Sequence, residues 1–145
     1  IRKNYAQTHI ITLVDPTMIN QALNNLLKNA LESISSAAKK GILKNEKNGL
    51  IKLSVVNDEK NIIIKIEDNG IGLPKKKSQL FEPYVTSREG GIGLGLAIVK
   101  KIVEEHDGYL DLLDASKFHG FEHKGAVAQV TLPLFSGVGD QIQLI

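Results

Sequence analysis

Apolar positions change period several times along the chain, and each change marks an element. From Asp15 to Lys40, "DPTMINQALNNLLKNALESISSAAKK" carries Ile19, Leu23, Leu26, Ala30 and Ile34 at helical spacing, with Ala22 and Leu27 beside them. That spacing predicts one long helix with a single buried stripe. Asp15 suits its N-cap, Pro16 its first position and Gly41 its stop. Ahead of it, His9–Val14 ("HIITLV") reads as a short strand. Behind it, Leu50–Val56 and Asn61–Glu67 read as a hairpin closed by "NDEK". Gly93–Asp107 returns to helical spacing, with Leu96, Val99, Ile102 and Val103 inside and Gly108 at the C-cap. "YLDLLD" and "AVAQVTLPL" complete the pattern as strands on either side of the polar loop "ASKFHGFEHKG".

The remaining segments are irregular. Gly41–Gly49 is polar and lysine-rich and predicts a mobile surface loop. A short helical piece near Lys76–Leu80 leads into the loop "FEPYVTSRE", and the last ten residues read as a loose tail. The order strand, helix, hairpin, loop, helix, hairpin predicts a two-layer α/β sandwich: a mixed, mostly antiparallel sheet covered by helices on one face. A doubly wound parallel sheet would need more alternation. One domain over residues 1–135 with a tail over 136–145 is the expected organisation.

Composition narrows this picture modestly. The 145 residues, 42% hydrophobic and 23% charged, are enough for a real core. Without cysteine there is no disulfide framework and no thiolate zinc site. No apolar run approaches a membrane span, and "IRKNYAQTH" is not a signal peptide. The first residue is Ile, so a fragment of a longer protein is expected. The net charge of +2 includes lysine clusters at Lys39–Lys40, Lys75–Lys77 and Lys100–Lys101, scattered and without interleaved aromatics. A nucleic-acid surface concentrates its charge on one face, so no nucleic-acid partner is expected.

Two glycine segments carry the candidate chemistry. "EDNGIGLP" (Glu67–Pro74) sets an acid and an amide ahead of two glycines, and "GGIGLGLAIV" (Gly90–Val99) opens the second helix. Glycine lets backbone approach a ligand closely, and amides at a helix N-terminus attract phosphate. Neither segment is a P-loop, because Gly95 is followed by Leu96 and Ala97 rather than Lys and Ser or Thr. Neither is a dinucleotide fingerprint, because Lys75 and Ile98 stand where a third glycine is needed. Taken alone, each also fits a plain tight turn or helix entry. Asn25 and Asn29 share one face of the first helix, which fits a solvated face or a polar site. Asn29 offers a neutral carbonyl oxygen of the type Mg²⁺ accepts alongside phosphate and water.

"NNLLKNALES", "EDNGIGLP", "LFEPYVTS" and "GGIGLGLAIVKKIVEEHDG" resemble, in order and spacing, the N, G1, F and G2 boxes of sensor histidine kinase ATP-binding domains. These domains have the Bergerat (GHKL) fold, shared with gyrase and MutL. The resemblance runs from about Asp15 to Leu134, and its fold agrees with the two-layer expectation. It implies that Asp68 accepts a hydrogen bond from the adenine amine, with Gly70 and Gly72 carrying the backbone beneath the base. It implies that Asn29 binds Mg²⁺ and that Asn25 lines the phosphate site. Phe81 would anchor a lid over roughly Pro83–Gly91, from which Ser87 and Arg88 reach the phosphates. Gly91, Gly93 and Gly95, with the amides of Leu94 and Leu96, would cradle the phosphates. Two positions depart from the family: Ile92 and Ala126 stand where Thr is usual.

The resemblance also separates the branches of the fold. ATP-hydrolysing members carry Glu four residues before the metal-binding Asn, where it activates water. Here that position is Asn25, and a carboxamide has no useful basicity. The implied reaction is therefore transfer of the ATP γ-phosphoryl group to a histidine in a separate dimerisation domain, then to an aspartate of a response regulator receiver domain. No catalytic residue of its own is expected in this segment, and neither is the acceptor histidine. Only His106 among His9, His106, His119 and His123 precedes an acid, and it reads as a partly cationic imidazole complementing a helix end. The boxes look most like the nitrogen-regulation type of sensor kinase, which implies a cytoplasmic domain of a membrane-anchored protein. An ATPase and a nucleotide-binding or docking module without catalysis are the alternatives.

Overall fold

The structure, a computed structural model, describes residues 2–5, 12–75, 80–81, 94–116 and 124–134. Its elements are β1 (Arg2–Tyr5), α1 (Pro16–Lys39), a 3₁₀ turn (Glu46–Asn48), β2 (Ile51–Asn57), β3 (Asn61–Asp68), α2 (Gly95–Glu104), β4 (Tyr109–Asp114) and β5 (Ala126–Pro133). They form one five-stranded sheet in the order β1-β2-β3-β5-β4. β1 runs parallel to β2, and every other pairing is antiparallel. Both helices cover the same face, so the expected mixed, mostly antiparallel two-layer sandwich is what forms.

α1 keeps its predicted limits because its ends are written in the sequence. The Asp15 carboxylate accepts from the amides of Thr17 and Met18 at 2.8 and 3.0 Å. These are orphan donors of the first turn. At the other end Gly41 takes φ 71, and its amide donates to Ala38 O at 3.1 Å. Between them, Ala22, Leu26, Ala30 and Ile34 of the predicted stripe are buried, Ile19, Leu23 and Leu27 pack half-buried against the core, and Ser33 and Ala37 extend the buried set. The stripe packs on Ile51 and Ile66 of the sheet and on Val99, Ile102 and Val103 of α2.

Four expectations change. The strand expected at His9–Val14 is absent from its described part, because Thr12–Val14 makes no ladder. β5 already has β3 and β4 on its two edges, so this segment can only reach its end, where Thr12 Oγ1 donates to Pro133 O at 2.7 Å. The parallel edge strand is Arg2–Tyr5 instead. The Gly41–Gly49 segment is anchored rather than a bare loop. Leu43 is buried in the core, Asn45 Oδ1 caps the 3₁₀ turn through the Lys47 amide at 2.9 Å, and Ser35 donates to Glu46 at 2.6 Å.

The end of α2 also differs. The helix stops at Glu104, and the left-handed residue is Asp107 (φ 55), not Gly108. Gly108 still closes the helix through its amide to Val103 O at 3.0 Å. A Cβ there would collide with Thr131 O, so its small size serves packing rather than a left-handed turn. Finally, His106 is not a cationic helix cap. Its Nε2 accepts from the Asp15 amide at 2.9 Å, and its Nδ1 lies 2.7 Å from Ile102 O. A backbone N–H only donates, so Nε2 carries no proton and Nδ1–H bonds the carbonyl, which makes the ring neutral. His106 thus pins the start of α1 to the end of α2. His9, His119 and His123, most of the Lys76–Leu80 piece, and the tail at 136–145 lie outside the described residues.

Candidate nucleotide site

β3 ends at Asp68, and its carboxylate is met by the turn that follows and by α1. Asp68 is 5% exposed. It lies on the helix-facing side of the sheet, two and four residues beyond Ile66 and Ile64 of the core. Its Oδ1 accepts from Ser33 Oγ at 2.9 Å and from the Gly70 amide at 2.8 Å. Gly70 sits directly on α1: a Cβ there would overlap Ser33. The first glycine of this turn is therefore required by its approach to the helix. Gly72 follows with φ 75, and a Cβ on it would stand 2.9 Å from Lys124 O.

Asn69, between Asp68 and Gly70, is fully buried. Its Oδ1 accepts from the Leu50 amide at 2.6 Å, and its Nδ2 donates to Asn48 O at 3.0 Å. This amide ties the glycine turn to the entry of β2. The sequence shows Asn69 only as part of "EDNG", and its partners come from a distant segment.

The described part of the second glycine segment, from Leu94 onward, opens α2. Leu94 is the N-cap and has no side-chain acceptor for the amides that begin the helix. Asn29 reaches this point from α1: its Oδ1 stands 3.9 Å from where a Cβ on Gly95 would be. Asn25 lies one turn earlier and is, like Asn29, half-buried. Leu96 packs against the core cluster just inside the helix. Lys100 Nζ lies 5.5 Å from the centre of the Phe81 ring, so α2 holds that aromatic residue by a cation–π contact.

Asn25, Asn29, Asp68, Gly70, Gly72, Phe81, Leu94, Gly95 and Leu96 are thus described. Ser87, Arg88, Gly91, Gly93, Ile92 and the Pro83–Gly91 lid lie outside the described residues. Ala126 stands in register opposite Asp68. Ser33 was not expected at the site, since on sequence it is simply a small residue continuing the buried stripe of α1. Among the described residues there is no cluster of three His, Cys, Asp or Glu able to hold a metal. A Mg²⁺ fits this donor set in one way: the Asn29 carboxamide oxygen beside a helix N-terminus, completed by phosphate and water. No helix among the described residues is long and apolar enough to cross a membrane.

Comparison with known proteins agrees with the fold. A family model described as histidine kinase-, DNA gyrase B-, and HSP90-like ATPase matches residues 14–136. Nitrogen regulation protein NtrY of Azorhizobium caulinodans is 44% identical over 121 residues, covering 81% of this chain and 14% of that protein. Sporulation kinase C of Bacillus subtilis is 32% identical over 138 residues, covering 94% of this chain and 28% of that protein. Among solved structures, the catalytic domain of histidine kinase ThkA superposes with a TM-score of 0.70 at 26% identity, covering 90% of this chain and 77% of that one. The mycobacterial sensor histidine kinase MprB superposes with a TM-score of 0.71 at 26% identity, covering 92% and 81%. By the family match over residues 14–136, the similarity to these relatives and the shared fold, the chain belongs to the histidine kinase-, DNA gyrase B-, and HSP90-like ATPase family, as an ATP-binding domain of the sensor histidine kinase kind.

Proposed function

We propose that this domain binds ATP and Mg²⁺ and presents the γ-phosphoryl group to a histidine on a separate dimerisation domain, for relay to a response regulator aspartate. What supports the reading most is that Ser33, one turn along α1 from Asn29, bonds Asp68 while the Asn29 oxygen stands near the start of α2, with Asn25 rather than an acid one turn before Asn29. Asp68 accepts from the adenine amine, above the turn through Gly70 and Gly72. The amides of Leu94, Gly95 and Leu96 hold phosphate at the start of α2, joined by Gly91, Gly93, Ser87 and Arg88. Phe81 anchors the segment carrying Ser87 and Arg88. Asn29 holds Mg²⁺, which when bound offsets phosphate charge, and Asn25 lines the phosphate site.

The domain's contribution is positioning. A neutral imidazole nitrogen of the partner attacks the γ-phosphorus, the bond to the β-phosphate oxygen breaks, ADP leaves, and the imidazole proton passes to solvent. Asn25 cannot take a proton from water, so the phosphoryl group is kept for the histidine rather than hydrolysed. Residues 1–135 would form this domain and 136–145 its tail, within a longer kinase that holds it on the cytoplasmic side of a membrane. The test is reconstitution with a dimerisation hairpin from a nitrogen-regulation kinase, ATP and Mg²⁺. Acid-labile phosphate on the hairpin histidine is expected. Steady phosphate release by the domain alone, without such transfer, would assign it to the ATPase branch instead.

A further inference from the structure

Among the described residues, a hydroxyl reaches Asp68 from the helix layer. The neighbour of Asp68 in register on β5 is Ala126. Directly opposed residues on paired strands point to the same face, so a methyl group lies where a strand-borne donor would have to be. On the other side, Ser33 is 8% exposed on α1, and its Oγ lies 2.9 Å from Asp68 Oδ1.

The direction of that bond is fixed by a third group. The Ile71 amide lies 3.1 Å from Ser33 Oγ and 3.3 Å from Ser33 O. An N–H can only donate, so Oγ accepts from Ile71 and its single proton goes to Asp68. The Gly70 amide is the second donor on the same Oδ1, at 2.8 Å. Two converging donors fix the rotation of the carboxylate and commit Oδ1 to the protein. We infer that Ser33 is a positioning residue for base selection: its hydroxyl holds the Asp68 carboxylate so that Oδ2 meets the 6-amino group of the purine. From the helix it supplies the hydroxyl that Ala126 cannot supply from the strand. This rests on the proposed role of Asp68 as the adenine acceptor.

Calorimetric titration of the 145-residue chain with ATP and with purine riboside triphosphate, which lacks the 6-amino group, tests the inference. The unmodified chain should prefer ATP. Ser33→Ala should lower ATP affinity about tenfold and leave purine riboside triphosphate nearly unchanged, so the preference collapses. An equal loss for both nucleotides, or an intact preference, would overturn the role of Ser33. Ser33→Cys keeps the side-chain volume with a weaker donor and gives the same readout if the alanine variant does not fold. Asp68→Asn separates the two levels. If it loses the preference while the Ser33 variants keep it, only the Ser33 inference fails. If Asp68→Asn keeps the preference, the adenine assignment fails and the Ser33 inference with it.

Discussion

Gly125 is pressed against Asp68 backbone to backbone: a side-chain carbon on Gly125 would overlap the Asp68 carbonyl. The contact locks the end of β3 to the start of β5, and the Ala115 amide bonds the Gly125 carbonyl at 3.1 Å from the other side. Gly125→Ala should therefore cost about 1–3 kcal/mol by overpacking and weaken ATP binding, since relief requires moving the residue that carries the carboxylate. Gly41→Ala is the control, with φ 71 but open space around its Cβ. It should cost about 1 kcal/mol through left-handed strain and leave ATP affinity unchanged. Urea denaturation and calorimetry on both variants check this; equal effects on ATP affinity would break the link between Gly125 and the site.

Asp68→Asn should fold but bind ATP poorly. Its remaining side-chain oxygen can still accept from Ser33 and Gly70, so the local hydrogen bonds survive. The new NH₂ would then meet the adenine amine donor to donor. Losing a charge-assisted bond in a closed site costs about 1.5–3 kcal/mol, and discrimination against GTP should shrink with it. Unchanged ATP affinity in the folded variant would remove Asp68 from the base site.

Asn29→Ala tests the metal. Asn29 is half-buried, with its oxygen near Gly95, so truncation should change stability little. The increase in ATP affinity on adding Mg²⁺ should fall sharply, and transfer to a supplied hairpin should stop. If calorimetry gives the same Mg²⁺ enhancement as in the unmodified chain, the metal is held elsewhere.

The sequence made legible what depends on local periodicity. α1 runs from Pro16 to Lys39 because a cap, a proline and a glycine sit at its ends, and β2, β3, β4 and β5 follow their apolar alternation to within a residue or two. Asp68, Gly70, Gly72 and Asn29 stand in the segments whose order and spacing carry the family resemblance. What stayed hidden depends on which layer meets which. Ser33 looks like filler in an apolar stripe until Asp68 is brought against it. Asn69 looks like part of a turn until Asn48 and Leu50 arrive from another segment. β1 carries no alternating pattern of its own, and it exists because the edge of β2 offers a ladder.

The tip of the β2–β3 hairpin supplies a prediction about pH. Asp58 accepts from the amides of Lys60 and Asn61 at 2.8 Å each. These bonds, Lys60 first and Asn61 second, hold the carboxyl below its ordinary value of 3.8. With the folded value lower than the unfolded one, the unfolded chain binds the proton more readily. The stabilisation is therefore fully present above 3.8 and is lost as pH falls through the depressed folded value. Urea midpoints of the unmodified chain and Asp58→Ala should differ at neutral pH and converge in acid. Asp58→Asn keeps an acceptor for both amides but no titrating charge, so its own contribution should not fade with pH. β3 is eight residues long, which sets this turn about 23 Å from Asp68, so ATP affinity at neutral pH should be the same in all three proteins. A gap between the unmodified chain and Asp58→Ala that stays constant into acid would mean that turn geometry, not carboxylate ionisation, carries the effect.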